Sequence, residues 1–461
     1  MPRCGIVSRR GICSSPLTVA KILGVAACLL AVSALAQQSP GNAAANSPTV
    51  RRLTLSDAIA LTMQNNREVR LAAAAASRIE AERQEISSLF RPQVFVGTGL
   101  AATRGFPLSI EGSAPAIFQV ASNQALFNPS LRNSERQAGK MRDAAERSLE
   151  EKLDDAVGAT VLTYFDLDRA RRSLDAVRAA AQNFLAAEQI IAERVRAGLD
   201  PPIEITRAQL NTARSHADQV GLESQVAILE SRLRSWVGIP QATAIVTVPA
   251  EIPPMQPDET PDQTIDRLLS LALERNPGLR ALEEQVRARE FQVQSEEATR
   301  WPRINLIGQY GLFSKINNFE DYFQRFARHN ATLGVSIQVP VYERERRAAR
   351  ISKAEAELLE ANYRFEQAQD SIALRIRELW AEREQQAAAR EVARLELEFA
   401  RRSVEVALAQ FEEGRANRLA VEQARIEEAV RWVGLYQAEY RAEAARVELL
   451  RVTGEIRNVF R

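Results

Sequence analysis

Apolar residues recur along most of this chain at the spacing of one helix face. Between Leu153 and Val195 they follow one another at intervals of three, four or seven residues, and charged residues occupy the other positions. Proline, which disrupts a helix interior, is absent from residues 130–200 and again from residues 341–461. The pattern therefore predicts a mainly α-helical protein, with one helix from Ser130 to Gly198 that is about 100 Å long.

Four shorter segments alternate apolar and polar residues and predict strands, at about residues 93–103, 116–127, 304–314 and 330–342. Each has about ten residues, the length that crosses a bilayer when the strand is tilted. We therefore predict membrane strands, and two ordinary hairpins on a soluble core are the alternative. The residues expected to face lipid are Phe118, Val120, Leu333, Val335 and Ile337, and those expected to face a lumen are Asn123, Ser336 and Gln338.

The chain also repeats itself. Residues 61–70 align with residues 271–280, and the pairs Gly198 and Gly414, and Gly238 and Gly454, are each 216 residues apart. This predicts two copies of one unit, residues 53–239 and 264–461, joined by a proline-rich linker at 240–263. Each copy is expected to contain a short helix, a longer helix, two strands and a long helical hairpin. Asn276 before Pro277 suits the N-cap of the longer helix in the second copy.

The N-terminus has the pattern of an export signal. Basic residues precede a short apolar run from Ile22 to Leu35, which ends in a small-residue cleavage site at Ala36. We expect residues 1–36 to be removed and residues 37–52 to form an N-terminal extension. A membrane anchor and a lipoprotein acylated at Cys28 are the alternatives.

Composition and motifs argue against nucleic-acid binding, metal or cofactor sites, and catalysis. Four of the 60 basic residues lie in the leader, so 56 basic against 59 acidic residues give the mature chain a net charge of −3, which is unsuited to nucleic acid. The cysteines all lie in the leader, and His216 and His329 are far apart, so we expect no metal and no cofactor. His216 is expected to be a surface residue of a helix, and His329 of an outer loop at 314–330. No nucleotide-binding, zinc-protease or serine-hydrolase motif is present, and we do not expect an enzyme.

Four strands cannot close a barrel, and an open sheet edge in lipid would leave unpaired amides at a cost of several kcal/mol each. A membrane barrel built from this chain must therefore be shared between subunits. Three chains would supply twelve strands.

The duplicated pattern of helices, strand pair and long hairpin resembles the TolC-like outer membrane efflux protein family. The likeness runs from about Leu53 to Gly454, and it is carried by residues 53–59, by residues 271–277 and by the closing helices up to Gly238 and Gly454. The resemblance implies a homotrimer with a 12-strand barrel in the outer membrane, continued by a long α-helical barrel in the periplasm. It also implies a passive duct that works with a periplasmic adaptor and an inner-membrane pump. The alternative is a periplasmic coiled-coil scaffold or adaptor without membrane strands.

The resemblance also implies where function resides. Adaptor contacts are expected at the two hairpin turns, which comprise Arg196, Ala197, Gly198 and Leu199 in the first copy and Glu413, Gly414 and Arg415 in the second. The family's constriction carboxylate aligns with Gln423, so that residue departs from the pattern. Glu422 is about 100° away around the helix and could pair with Arg418, four residues earlier. Glu422 could thus form a charged ring or, with Arg418, a structural latch, and Glu412 or Glu413 could form the constriction instead.

Overall fold

Long helices dominate the computed structural model, which describes residues 50–99, 116–248, 261–313 and 329–460. The predicted leader lies outside these residues. Two helices, of 68 and 69 residues, begin the two hairpins, and each is followed by a return helix of 35 residues. The helices are α1 (Leu55–Asn65), α2 (Arg67–Ser88), α3 (Pro129–Arg196), α4 (Ile203–Val237), α5 (Pro261–Arg275), α6 (Pro277–Glu297), α7 (Arg344–Glu412), α8 (Arg418–Val452) and α9 (Ile456–Val459).

Six strands form two sheets. The strands are β1 (Val50–Leu53), β2 (Gln93–Gly99), β3 (Ala116–Phe127), β4 (Ala244–Thr247), β5 (Arg303–Phe313) and β6 (His329–Gln338). β1 and β4 pair in parallel, and the other four form an antiparallel sheet in the order β2-β3-β5-β6. In the described residues, the order of two helices, two strands and two long helices therefore occurs twice.

Two strand boundaries differ from the sequence prediction. β6 ends at Gln338 rather than near residue 342, because Pro340 has no backbone N–H to donate to a ladder. His329 is the first residue of β6 and not part of a loop, and its Nδ1 lies 2.8 Å from the hydroxyl of Tyr310 on β5. Residues 100–103 of the predicted second strand lie outside the described residues.

An asparagine caps each of the helices α2 and α6, and the same side chain also bonds to a return helix. The side-chain oxygen of Asn276 accepts a hydrogen bond from the backbone N–H of Leu279 at 3.0 Å, which confirms the predicted cap. Its Nδ2 donates to the carbonyl oxygen of Val452 at 2.8 Å. Asn66 does the same in the first copy, capping α2 and donating to the carbonyl oxygen of Trp236 at 3.2 Å. Each cap thus also joins the start of its helix to the end of a return helix.

The main core lies where the middle of α3 meets the return helices and the small β1–β4 sheet. Tyr164 is fully buried there, and its hydroxyl donates to the carbonyl oxygen of Leu53 at 2.9 Å and accepts from the N–H of Val248 at 2.8 Å. The segment predicted as a linker therefore contains a docked strand, β4, and α5 already begins within it at Pro261. Burial raises the pKa of Tyr164, because its phenolate would be poorly solvated.

The C-terminal helix α9 packs on the same part of α3. Ile456 is fully buried, and the guanidinium of Arg457 donates to the carboxylate of Asp154. Arg451 donates to Asp155 at 2.9 Å on the next position of α3. Burial raises the pKa of Asp154, although the charge of Arg457 opposes that rise. The end of the described chain is therefore anchored to the middle of the first long helix.

Candidate functional site: the hairpin turns and the sheet

Both hairpin turns are built by one motif. The N–H of Leu199 donates to the carbonyl oxygen of Arg194 at 2.9 Å, and the N–H of Arg415 donates to that of Gln410 at 2.8 Å. Within these turns, Gly198 has a φ of 73° and Gly414 a φ of 72°, which is the left-handed conformation that glycine adopts most easily. A six-residue return of this kind ends each long helix sharply, so the return helix can run back alongside it.

The first turn presents apolar side chains to solvent. Leu199 is 67% exposed and Ile203 is exposed to the same degree, while Arg196 and Ala197 are also at the surface. Beneath them the guanidinium of Arg194 donates two hydrogen bonds to Asp200, at 2.7 and 2.9 Å. These bonds lower the pKa of the Asp200 carboxyl, since they favour its charged form. The turn is thus held from below and offers an apolar surface.

The second turn is more polar. Arg415 and Glu413 form an exposed ion pair at 2.7 Å across Gly414. Asn417 caps α8, accepting a hydrogen bond from the N–H of Ala420 at 3.0 Å. The two turns therefore share a backbone and differ in surface chemistry.

The predicted constriction residues Arg418, Glu422 and Gln423 lie in the first two turns of α8. Glu422 is buried, at 4% exposure, and its two carboxylate oxygens lie 3.7 Å from Arg418 and 3.7 Å from Arg425. Gln423 is exposed, as are Glu412 and Glu413. The structure therefore brings Arg418 and Glu422 together, adds Arg425 one turn further along the same helix face, and leaves Gln423 exposed. The sequence could have suggested Arg425, which lies one turn after Glu422.

An aromatic series on α8 was not foreseen. Trp432, Tyr436 and Tyr440 are four residues apart on one face, and the rings of Trp432 and Tyr436 stack with centroids 5.3 Å apart. Arginines from both neighbouring helices lie over these rings, Arg401 of α7 over Trp432 at 4.5 Å and Arg172 of α3 over Tyr436 at 5.9 Å. The spacing of the rings is visible in the sequence, but their partners lie far away along the chain. The contacts join the first hairpin to the second.

The antiparallel sheet has two chemically different faces. Direct cross-strand partners share a face, and Val96, Val120, Tyr310 and Ala331 stand opposite one another in register across the four strands. This apolar face contains the residues Val94, Val96, Phe118, Val120, Leu306, Tyr310, Leu333, Val335 and Ile337, interrupted by Ser122, Gln124, Gly308 and His329. It includes every residue expected to face lipid, and Leu333 on it is 79% exposed.

The opposite face is polar. It contains Gln93, Gln119, Asn123, Asn305, Gln309, Asn330, Thr332, Ser336 and Gln338, with Phe95, Ala121, Ala125 and Ile307 as apolar exceptions. The three residues expected to face a lumen all lie on it. Such a sheet has one surface suited to hydrocarbon and one suited to water.

The sheet is also open at both edges. β2 pairs only with β3, and β6 pairs only with β5, among the strands that the structure describes. Unpaired backbone groups on these outer strands need partners in any apolar surrounding. A single chain therefore leaves two strand edges to be completed.

The described residues offer little else for chemistry. No group of three or more His, Cys, Asp or Glu side chains within them is arranged to hold a metal ion. Across the same residues, none of the helices combines the length and the hydropathy that a membrane span requires.

Residues 268–455, most of the second copy, match the model of a protein family described as outer membrane efflux protein. The chain is 24% identical over 410 residues to the outer membrane efflux protein BepC of Brucella suis, an alignment that covers 87% of this chain and 86% of BepC. It is 25% identical over 290 residues to the protein CyaE of Bordetella pertussis. That alignment covers 61% of this chain and 59% of CyaE, so the chain spans less than two thirds of the length of this relative.

The fold has solved counterparts. The outer membrane channel CmeC of Campylobacter jejuni superimposes with a TM-score of 0.71, covering 87% of this chain and 86% of that one at 15% identity. At this identity the likeness concerns the fold alone.

Proposed function

We propose that this chain, a member of the outer membrane efflux protein family, is the passive duct of a tripartite export system. It resides in the outer membrane and extends into the periplasm. Three copies would together form a 12-strand barrel, continued by a barrel of helices. Substrates delivered by an inner-membrane pump and a periplasmic adaptor would leave the cell through it.

The observation that carries this proposal is the four-stranded sheet, with one exposed apolar face and two open edges. Within an isolated chain this arrangement exposes Leu333, Val335 and Ile337 to water and leaves backbone groups unpaired. Three such sheets joined edge to edge would place the apolar faces against lipid, the polar faces toward a lumen, and pair every strand. A coiled-coil scaffold has no use for such a sheet.

The helical hairpins support the second part of the proposal. The helices α3 and α7 are each about 100 Å long, and each returns through a sharp glycine turn. Arginine and glutamate pairs such as Arg394 with Glu391 at 2.6 Å keep outer helix faces compatible with water. Small residues on buried faces, such as Ala156 and Ala170, allow close helix packing. Such walls can enclose an aqueous passage without any catalytic group.

Fractionation of the cell envelope tests the proposal. The protein should sediment with the outer membrane, and a detergent extract that is not heated should migrate in electrophoresis as an oligomer of three chains. The same extract after boiling should migrate as one chain. Recovery as a soluble monomer from the periplasmic fraction would contradict the proposal and favour a periplasmic scaffold.

A further inference from the structure

Arginines collect at the end of the sheet where every strand meets a helix. In register, the start of β2 lies beside β3 near its end, and the start of β5 lies beside the end of β6, so all four junctions share this end. The turns and first helical residues at these junctions contain six arginines, which we call the arginine collar: Arg91, Arg132, Arg300, Arg344, Arg346 and Arg347.

The collar arginines are not neutralised by ion pairs within the part of the chain that the structure describes. Among the residues that the structure describes, none of the six collar arginines has an ion-pair partner. Many arginines of the long helices are paired instead, as Arg402 is with Glu398 at 2.6 Å. Three exposed glutamates, Glu297, Glu343 and Glu345, lie in the same turns, so arginines outnumber them two to one. The junction zone therefore has an excess of positive charge.

Exposed aromatic and apolar side chains accompany this charge. Trp301 is 50% exposed, and the guanidinium of Arg300 lies 5.3 Å from its ring centroid. Tyr342 is 97% exposed, beside the equally exposed Val341. Tryptophan and tyrosine favour the boundary between hydrocarbon and water, where the ring is partly buried and its polar group is solvated. The junction zone thus combines boundary-seeking rings with unpaired cations.

We propose that the arginine collar binds the phosphate headgroups of anionic phospholipids in the leaflet next to the helices. The inference rests on the proposed function, because it requires the apolar face of the sheet to be in a membrane. Guanidinium groups bind phosphate oxygens through two parallel hydrogen bonds, and each cation near an anionic surface contributes about 1 kcal/mol.

The partner is a lipid surface because of what adjoins the collar. The apolar residues Val335 and Ile337 lie within ten residues of Arg344, and Leu306 and Ile304 lie equally close to Arg300. A phosphate layer directly beside a hydrocarbon layer occurs at the surface of a bilayer. A soluble anionic partner would meet the arginines but leave the apolar face uncovered.

Brominated lipids can test this proposal, because bromine quenches the fluorescence of a tryptophan that it contacts. The purified oligomer in detergent would be titrated with brominated phosphatidylglycerol, which is anionic, and with brominated phosphatidylcholine, which has no net charge. We expect phosphatidylglycerol to quench at lower concentration. The triple variant R344Q/R346Q/R347Q should weaken that preference roughly fivefold for each arginine removed and leave phosphatidylcholine unchanged.

Two controls locate the effect. The variant R394Q/R402Q removes two arginines that are paired on α7, and it should keep the full preference. Trp301→Phe should abolish the part of the quenching that depends on the collar. On the unmodified protein, about 1 M salt should reduce the preference for phosphatidylglycerol, because screening weakens exposed ionic contacts.

Equal quenching by the two lipids in the unmodified protein, or a preference insensitive to salt, would overturn this inference. If the protein forms an oligomer of three chains in the outer membrane but shows no lipid preference, only the lipid-binding inference is overturned and the proposed function stands. A protein absent from the outer membrane would instead overturn the proposed function.

Discussion

A Cβ atom built on Gly454 would lie 2.7 Å from the carbonyl oxygen of Arg275. The end of the second return helix therefore touches the backbone between α5 and α6, beside the Asn276 cap. In the first copy a Cβ built on Gly238 would lie 2.6 Å from the Cβ and 3.1 Å from the carbonyl oxygen of Asn65. Gly198 and Gly414 at the hairpin turns share the left-handed backbone, but a Cβ built on either would have no heavy atom within 4 Å beyond its chain neighbours.

This difference predicts unequal costs for one substitution. Gly414→Ala should destabilise the folded protein by about 1 kcal/mol, because only backbone strain opposes it. Gly454→Ala adds a clash with backbone atoms and should cost roughly 1–3 kcal/mol more. Samples would be heated to a series of temperatures before electrophoresis, and the measurement is the temperature at which the oligomer band is lost. Equal shifts for both variants would show that the close approach to Arg275 does not constrain the fold.

The sheet predicts opposite tolerances at neighbouring positions. Val335→Arg places a charge on the apolar face and should cost about 2–4 kcal/mol if the residue lies near the bilayer midplane. Ser336→Arg places the same charge on the polar face and should leave assembly intact. The amount of oligomer in the outer membrane fraction compares them. Similar yields of oligomer from both variants would contradict the assignment of the apolar face to lipid and of the polar face to the lumen.

Glu422 is expected to act as a latch and not as a charged ring, because it is buried between Arg418 and Arg425 within its own chain. Glu422→Gln removes the charge that holds both guanidinium groups. It should raise single-channel conductance in a planar bilayer without changing the preference for cations, and Arg418→Gln should act in the same direction. A lower cation preference at unchanged conductance would instead place the carboxylate on the aqueous path.

The hairpin turns predict sites of contact with an adaptor. Cysteine introduced at Leu199 or Arg415, both exposed, should form crosslinks to the adaptor in cells that express the export system. Cysteine at Ala244 is the matched control, because it lies in β4 at the other end of the hairpin. Crosslinks at the control position and none at the turns would refute adaptor docking at the turns.

The sequence predicted the helices well because their cause is local. Glycine at 198 and 414, proline-free segments and the Asn276 cap act within a few residues, so the pattern alone marks where α3 and α7 end and α6 begins. The strand β4 was missed because its stability comes from Tyr164 and from β1, which are distant in the chain. Pro340 could have been used to end β6, since a missing N–H is a local signal.

For the candidate site, too, local contacts were predictable from the sequence and tertiary contacts were not. Arg418 and Glu422 are four residues apart on one helix, so their proximity follows from helix geometry. Their burial does not, because it depends on how α8 packs against other helices. The contacts of Arg172 and Arg401 with the rings of α8 likewise depend on tertiary packing. No local pattern identifies such partners.

The central claim, that the sheet is completed by other copies of the chain, can be tested by disulfide formation between its edges. Within one chain β2 and β6 are separated by β3 and β5, roughly 14 Å apart, which is too far for a disulfide. Val96→Cys in β2 would be combined in turn with cysteine at Leu333, Val335 or Ile337 in β6, to allow for the unknown register between chains. Oxidation should give covalent species of two and three chains and none larger, while each single-cysteine control gives at most two. Only single chains at every pairing, in protein recovered from the outer membrane, would contradict a barrel shared between subunits.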